Sequence, residues 1–149
     1  MSRHVLYVVL LVLTGCGSSA TKVEDLNATV VTLPGGRKIM AETKRTEEEM
    51  ARGMMYRDAL PKDRGMLFVH AKEGMNPYWM FNCKVPLDII WMNKNRQVVE
   101  ISLNTPPCTS TDPKDCPNYG GHQNAQYVLE LNGGASIEYA IAVGSQLSF

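Results

Sequence analysis

The sequence predicts an α+β domain, mostly antiparallel: a small barrel-like sheet of about seven to eight short strands with one or two short helices. Three observations predict it. Short apolar or alternating runs recur between Pro, Gly, Asn and Asp turn signals, the pattern of strands rather than helices. Only one stretch carries a strong helix-start signal. The 149 residues hold no internal repeat, and that length allows one domain and disfavours two. Many short strands that curl on themselves leave few open edges, hence the barrel-like expectation.

The elements follow in order. Residues 27–33 (NATVVTL) are rich in β-branched side chains and stop at Pro34-Gly35-Gly36. Residues 37–42 (RKIMAE) resume as a strand, so the two form a hairpin. Thr46 and Glu49 make a capping box, and three acids suit the positive end of a helix. Gly53 supplies a left-handed cap after about two turns. A buried strand at 65–69 (GMLFV) leads to a polar loop at 70–76 and an aromatic strand at 78–82 (YWMFN). Residues 87–92 (LDIIWM) form another strand. In 97–103 (QVVEISL), Val99, Ile101 and Leu103 oppose Glu100 and Ser102, the mark of a half-buried strand. Residues 126–131 (QYVLEL) alternate in the same way, with Glu130 opposite Tyr127, Leu129 and Leu131. A short helix within 135–142 and a last strand at 144–149 close the chain.

Charge excludes some functions. Fifteen basic and fifteen acidic side chains cancel, without the basic excess of a nucleic-acid protein. The same balance excludes an acidic disordered tail.

The first residues read as an address. Met1-Ser2-Arg3-His4 is cationic, and Val5–Leu13 is an unbroken apolar run of nine residues. A membrane-spanning helix needs roughly 20, so the run fits a secretory leader instead. Leu13-Thr14-Gly15-Cys16 resembles the lipobox of bacterial lipoproteins, in which the Cys is acylated and becomes the mature N-terminus. Residues 1–15 are thus a signal peptide, and 16–26 a lipidated Cys with a flexible tether. Residues 27–149 are the globular domain. Gly17, rather than Asp, favours the outer membrane by resemblance to lipoprotein sorting. The expected location is the cell envelope, anchored to the membrane by lipid on Cys16 and facing the periplasm.

In an oxidising compartment disulfides persist. Cys108 and Cys116 flank a Pro-, Thr- and Asp-rich stretch suited to neither helix nor strand, and a bridge there would fix a long loop. These two cysteines with His122 are weaker as a metal site, because no fourth ligand is spaced nearby. No metal or other cofactor is expected. Cys83 reads as a small buried hydrophobe. The segment 104–124 has no periodicity, and loops of that length are usually functional or disordered.

Candidate chemistry is sparse. Asp88 interrupts an apolar strand. It is either a general base or ligand anchor, or a structural acid satisfied by loop amides, Arg52 or Arg57. Trp79 and Trp91 lie close to it in sequence, and exposed aromatics can stack on sugar rings, though strand aromatics are more often core. His122 stands in the Gly-rich stretch Tyr119-Gly120-Gly121-His122. No nucleophile elbow, zinc-protease motif or phosphate loop occurs. Thioethers of Met80 and Met92 with Cys83 and His70 would suit Cu(I) if they converged.

Several blocks together resemble a known family. They are Glu42-Thr43, Gly53-Met54-Met55-Tyr56-Arg57, Gly65–Val69, Trp79–Cys83, Val85–Trp91, Pro106-Pro107-Cys108 and Tyr127–Gly134. In this order they are similar to the bacterial and archaeal domain of unknown function 192. The likeness covers about residues 28–149. Cys83 stands where the family more often shows Thr, and Ser145 where it often shows Asp. The resemblance implies one compact, often exported domain, mainly antiparallel with little helix, and no established reaction. The functional expectation is a non-enzymatic, lipid-anchored envelope domain that binds a small ligand or a partner protein through loop 104–124 and the Trp79/Asp88/Trp91 region. The alternatives are an envelope saccharide or peptide hydrolase using Asp88, and a Cu(I)- or redox-linked protein.

Overall fold

The computed structural model describes residues 27–149. The leader, Cys16 and the tether lie outside the described residues. In chain order the domain contains β1 (Ala28–Thr32), β2 (Lys38–Lys44), α1 (Glu47–Arg52), β3 (Arg64–Gly74), β4 (Tyr78–Trp79) and β5 (Leu87–Met92). These are followed by β6 (Val98–Thr105), β7 (Asn118–Tyr119), β8 (Ala125–Asn132) and α2 (Ala135–Glu138). Six strands form one sheet in the order β1-β2-β3-β8-β5-β6, and β4 pairs with β7 in a second, small sheet. All neighbours are antiparallel except β2 and β3. A parallel pair needs a crossover, and the segment containing α1 supplies it.

Local chemistry sets the ends of these elements. The turn Pro34–Gly36 joins β1 to β2, with Gly35 in the left-handed region. Thr46 and Glu49 form the reciprocal capping box of α1, and the Gly53 N–H ends the helix on the Glu49 carbonyl at positive φ. The aromatic strand is shorter than its composition predicts. Asn82 is left-handed at φ 54, and the Met80 carbonyl accepts from both Cys83 N–H and Cys108 N–H, so the chain turns at Met80. Cys83 therefore lies outside any strand. Conversely β3 runs on through the stretch expected to be loop, because Gly74 pairs with Ala125 beyond a bulge.

The sheet is covered on both faces. One layer holds Ile39, Leu67, Ile90 and Leu129 under Tyr139 and Leu147 of the C-terminal segment. The other holds Met66, Phe68, Ile89 and Val128 under Met54 and Met80. All six residues of β5 are buried, as expected of a central strand covered on both sides. The long segment 104–124 is ordered by a Cys108–Cys116 disulfide, a short 3-10 turn at Pro113–Asp115 and β7.

The sheet is not a closed barrel. The segment expected to be a last strand makes isolated bridges instead, Thr32 with Ser148 and Gln97 with Gln146. The reason is a turn at its start: Ser145 N–H bonds back to the Ala142 carbonyl and Gly144 has φ 93. Even so, this one segment bonds to Thr32 at the end of β1 and to Val98 at the start of β6, the two edge strands of the sheet.

Candidate functional site

Asp88 is fully buried. Its Oδ1 accepts from Asn104 N–H (2.7 Å) and Gly134 N–H (3.0 Å), and its Oδ2 accepts from Ser136 N–H (2.7 Å). The carboxylate ties β6 and the start of α2 to β5, which is a structural use of a buried charge. The amides that hold it come from loops and element ends, not from Arg52 or Arg57.

Trp91 is fully buried in the opposite layer, and its indole N–H donates to the Asn76 carbonyl at 2.7 Å. Gly120 lies against its ring: a Cβ there would stand 2.4 Å from Trp91 atoms, and φ is +58. His122 is exposed; its Nδ1 lies 2.6 Å from Glu100 Oε1, and its N–H donates to Glu100 Oε2. Asp88, Trp91 and His122 are therefore not brought together. Met80 and Met92 also lie in opposite layers, so they do not converge with Cys83.

Trp79 is different: 38% exposed, it borders a cavity of about 270 Å³. One wall is α1 and the turn after it, with Met50, Gly53, Met54 and Met55. Phe68 and His70 of β3 face them, with Tyr78, Phe81 and Cys83 alongside. Glu130 of β8 also lines the space. The cavity lies on the Met66/Phe68 side of the sheet, away from Asp88. Met54 and Phe68 are core residues of that layer that also border the opening.

The electrostatics centre on Glu130. It pairs in register with Met66 on one side and Ile89 on the other, so it occupies a core position. It is 4% exposed, and its Oε2 is buried without a hydrogen-bond partner. Burial pushes its carboxyl pKa up to about 8, against a smaller pull downward from Arg57. Glu42 lies in the same cross-strand row, on the far side of Met66. Its carboxylate is held by both terminal nitrogens of Arg57 and by Lys44 at 3.2 Å. Burial alone would raise Glu42, but these cations hold it below the usual carboxylate range. Two glutamates with one strand between them thus differ in charge state near neutrality.

Three other groups of the cavity, Cys83, Tyr78 and His70, are held toward their neutral forms. Burial, and then the Glu130 charge, push the Cys83 thiol up to about 12, so it is not a thiolate nucleophile at neutral pH. Burial raises the Tyr78 phenol above its ordinary value, with Glu130 adding to the effect. Burial lowers His70, whose Nε2 shares a 3.0 Å hydrogen bond with the Tyr78 hydroxyl. Tyr78 is wedged edge-on between Phe68 and Trp91.

The sequence does not mark Glu130 or Tyr78 as site residues, and it offers His70 and Cys83 only as Cu(I) ligands. Alternation correctly separates Glu130 from Leu129 and Leu131, but it assigns the glutamate to a solvent face. The available signal was Val128, an apolar residue of the same parity as Glu130, which marks β8 as buried on both sides.

Comparison with known proteins agrees with this fold. No curated protein matches the chain. A crystal structure of a protein of unknown function from Novosphingobium aromaticivorans is similar, with 30% identity and a TM-score of 0.69. The match covers 82% of this chain and 85% of that one. A second, from Sinorhizobium meliloti and described as a "putative transcription regulator", has 26% identity and a TM-score of 0.68. That match covers 80% of this chain and 89% of the other. The family model DUF192, "Uncharacterized ACR", matches residues 29–149. With that match spanning nearly the whole described domain, the chain belongs to the DUF192 family.

Proposed function

We propose that this domain is a small-ligand-binding module of the cell envelope, and that the cavity beside Trp79 is its binding site. The observation that carries this reading is the unpartnered Glu130 Oε2 in a largely apolar cavity. An unsatisfied buried polar atom costs about 1–3 kcal/mol. A ligand group that reaches it recovers that cost on binding. Apolar walls with few convergent polar groups and a perturbed carboxyl are the features of a ligand site. The size limits the ligand, since an apolar cavity of about 150 Å³ takes benzene. The space here suits a single ring with a short polar arm.

Ligand-observed NMR with single-ring fragments at neutral pH tests the reading. Fragments should bind the wild-type domain and lose most of their affinity in Trp79→Ala. Fragments that bind neither protein, or bind both equally, would remove the cavity as the site.

Anchorage belongs to the same proposal. The cationic start, the short apolar run and Leu13-Thr14-Gly15-Cys16 support export and lipidation, with the domain facing the periplasm from the outer membrane. The Cys108–Cys116 disulfide supports an oxidising compartment. Cys16→Ser should move the protein from the membrane to the soluble fraction of its host; an unchanged membrane fraction would defeat the anchor. A hydrolase reading built on Asp88 gains no support, because that carboxylate is occupied by backbone donors away from the cavity. A copper reading built on Met80, Met92 and Cys83 gains none either. A nucleic-acid role, which the description of the Sinorhizobium protein would suggest, gains nothing from a chain whose charges cancel.

A further inference from the structure

We infer that the ligand of this cavity is a small organic cation, whose protonated amine pairs with the Glu130 carboxylate while its apolar body lies against the aromatic rings. The inference rests on the cavity being a ligand site and names the chemistry that site selects.

Three features of the lining converge on a cation. The unpartnered atom is a carboxyl oxygen, an acceptor when ionised. The rings of Phe68, Tyr78, Trp79 and Phe81 surround the space. Their faces are electron-rich and attract ammonium groups, most strongly where water is excluded. The Met50 and Met54 thioethers add polarisable, weakly accepting sulfur. An anionic ligand would meet these same π-faces, and would find no cation at Glu130 to pair with.

The charged and titratable neighbours fit this assignment. Arg52 of α1 is exposed at the cavity border. Arg57, in the turn that follows, is engaged by Glu42 across β2. His70 of β3 is held toward its neutral form by burial. Tyr78 of β4 and the Cys83 thiol are neutral, and β5 contributes only Ile89 beside Glu130 in the register. Among the described residues, Glu130 Oε2 has no hydrogen-bond partner before a ligand arrives, and the pull of the Arg57 charge is smaller than the push of burial.

The inference sets a proton balance. Unliganded Glu130 carries a proton at neutral pH; when the ammonium binds, that proton passes to solvent and the carboxylate stays behind as counter-ion. Apparent affinity for a cation then scales with the ionised fraction of Glu130. With the carboxyl near 8, cation affinity should rise about 50-fold between about pH 6 and about pH 8. A neutral ligand that only hydrogen-bonds to the acid would show no such rise.

Benzylamine and benzyl alcohol, nearly equal in shape, form the test pair. Each is titrated by NMR into the wild-type domain, Glu130→Gln and Trp79→Ala, with thermal melts establishing that the variants fold. Calorimetry in two buffers of different ionisation enthalpy counts released protons. The expected result is benzylamine affinity that climbs with pH and releases close to one proton in the lower part of the range. Glu130→Gln should abolish this climb and erase the preference for benzylamine over benzyl alcohol. If benzyl alcohol binds as well as benzylamine, with flat pH dependence in wild type and Glu130→Gln alike, the cation assignment fails and the cavity survives. If neither compound binds the folded wild type at any pH, the cavity itself fails as a ligand site, and the cation assignment with it.

Discussion

At Glu130 and Asp88 the same chemical group, buried in both places, meets opposite treatment. Asp88 has three backbone donors. Glu130 has an oxygen with none, and burial raises its pKa to about 8. The consequence for stability has a definite sign. Between the ordinary glutamate value of 4.5 and about 8, the folded protein holds a proton that the unfolded chain has lost. Stability therefore falls as pH rises through that window, and the loss is complete above it. Glu130→Gln cannot ionise and should flatten the profile. Melting temperatures across the window should show the variant gaining on wild type, by a few kcal/mol at the alkaline end. Parallel profiles would mean that Glu130 stays charged in the folded state. Asp88 was visible in sequence because a lone acid interrupts LDIIWM. Glu130 was not, because its alternating neighbours fit equally well a half-exposed strand.

Elements with local instructions were the legible ones. The β1–β2 turn needs Gly35 at positive φ, and the α1 cap needs Thr46 and Glu49 three apart; both are written within a few residues. The Cys108–Cys116 loop is likewise local. What depends on distant partners was not legible. The outer half of β3 exists because Gly74 meets Ala125, and the end of the aromatic run depends on Cys108 bonding to Met80. The loop around Gly120 is a further case: its reason lies in Trp91, 29 positions earlier in the sequence. Gly120→Ala would strain a left-handed backbone and drive a methyl into the Trp91 ring, which has little room to yield inside the core. A loss of about 2–4 kcal/mol is expected from the two effects together. Urea unfolding measures it, and a change below about 0.5 kcal/mol would mean that the loop moves aside freely.

For the whole molecule, the organising feature is a single sheet covered on both faces largely by turns and loops rather than by long helices. Composition and turn spacing foretold the antiparallel sheet and the scarcity of helix, but a barrel-like curl describes it only loosely. The C-terminal segment fastens one end of each edge strand, at Thr32 of β1 and Val98 of β6. Leu147 is buried at 1% exposure, and Phe149 meets Tyr127 edge-on while Arg96 lies over its ring. Deleting residues 145–149 should cost at least about 3 kcal/mol in lost burial and edge bonds. It should also uncover the end of β1 at Thr32 and the start of β6 at Val98, adding open edge for pairing with other copies. Size-exclusion chromatography of the truncated chain should show self-association, whereas a stable monomer would mean that the edges are protected by something else.

The arrangement also has a mechanical side. Ser148 bonds to Thr32 and Ser145 to Val98, so one short stretch ties together the two outermost strands of the sheet. A pull on either strand therefore loads the same few hydrogen bonds before the sheet itself is peeled.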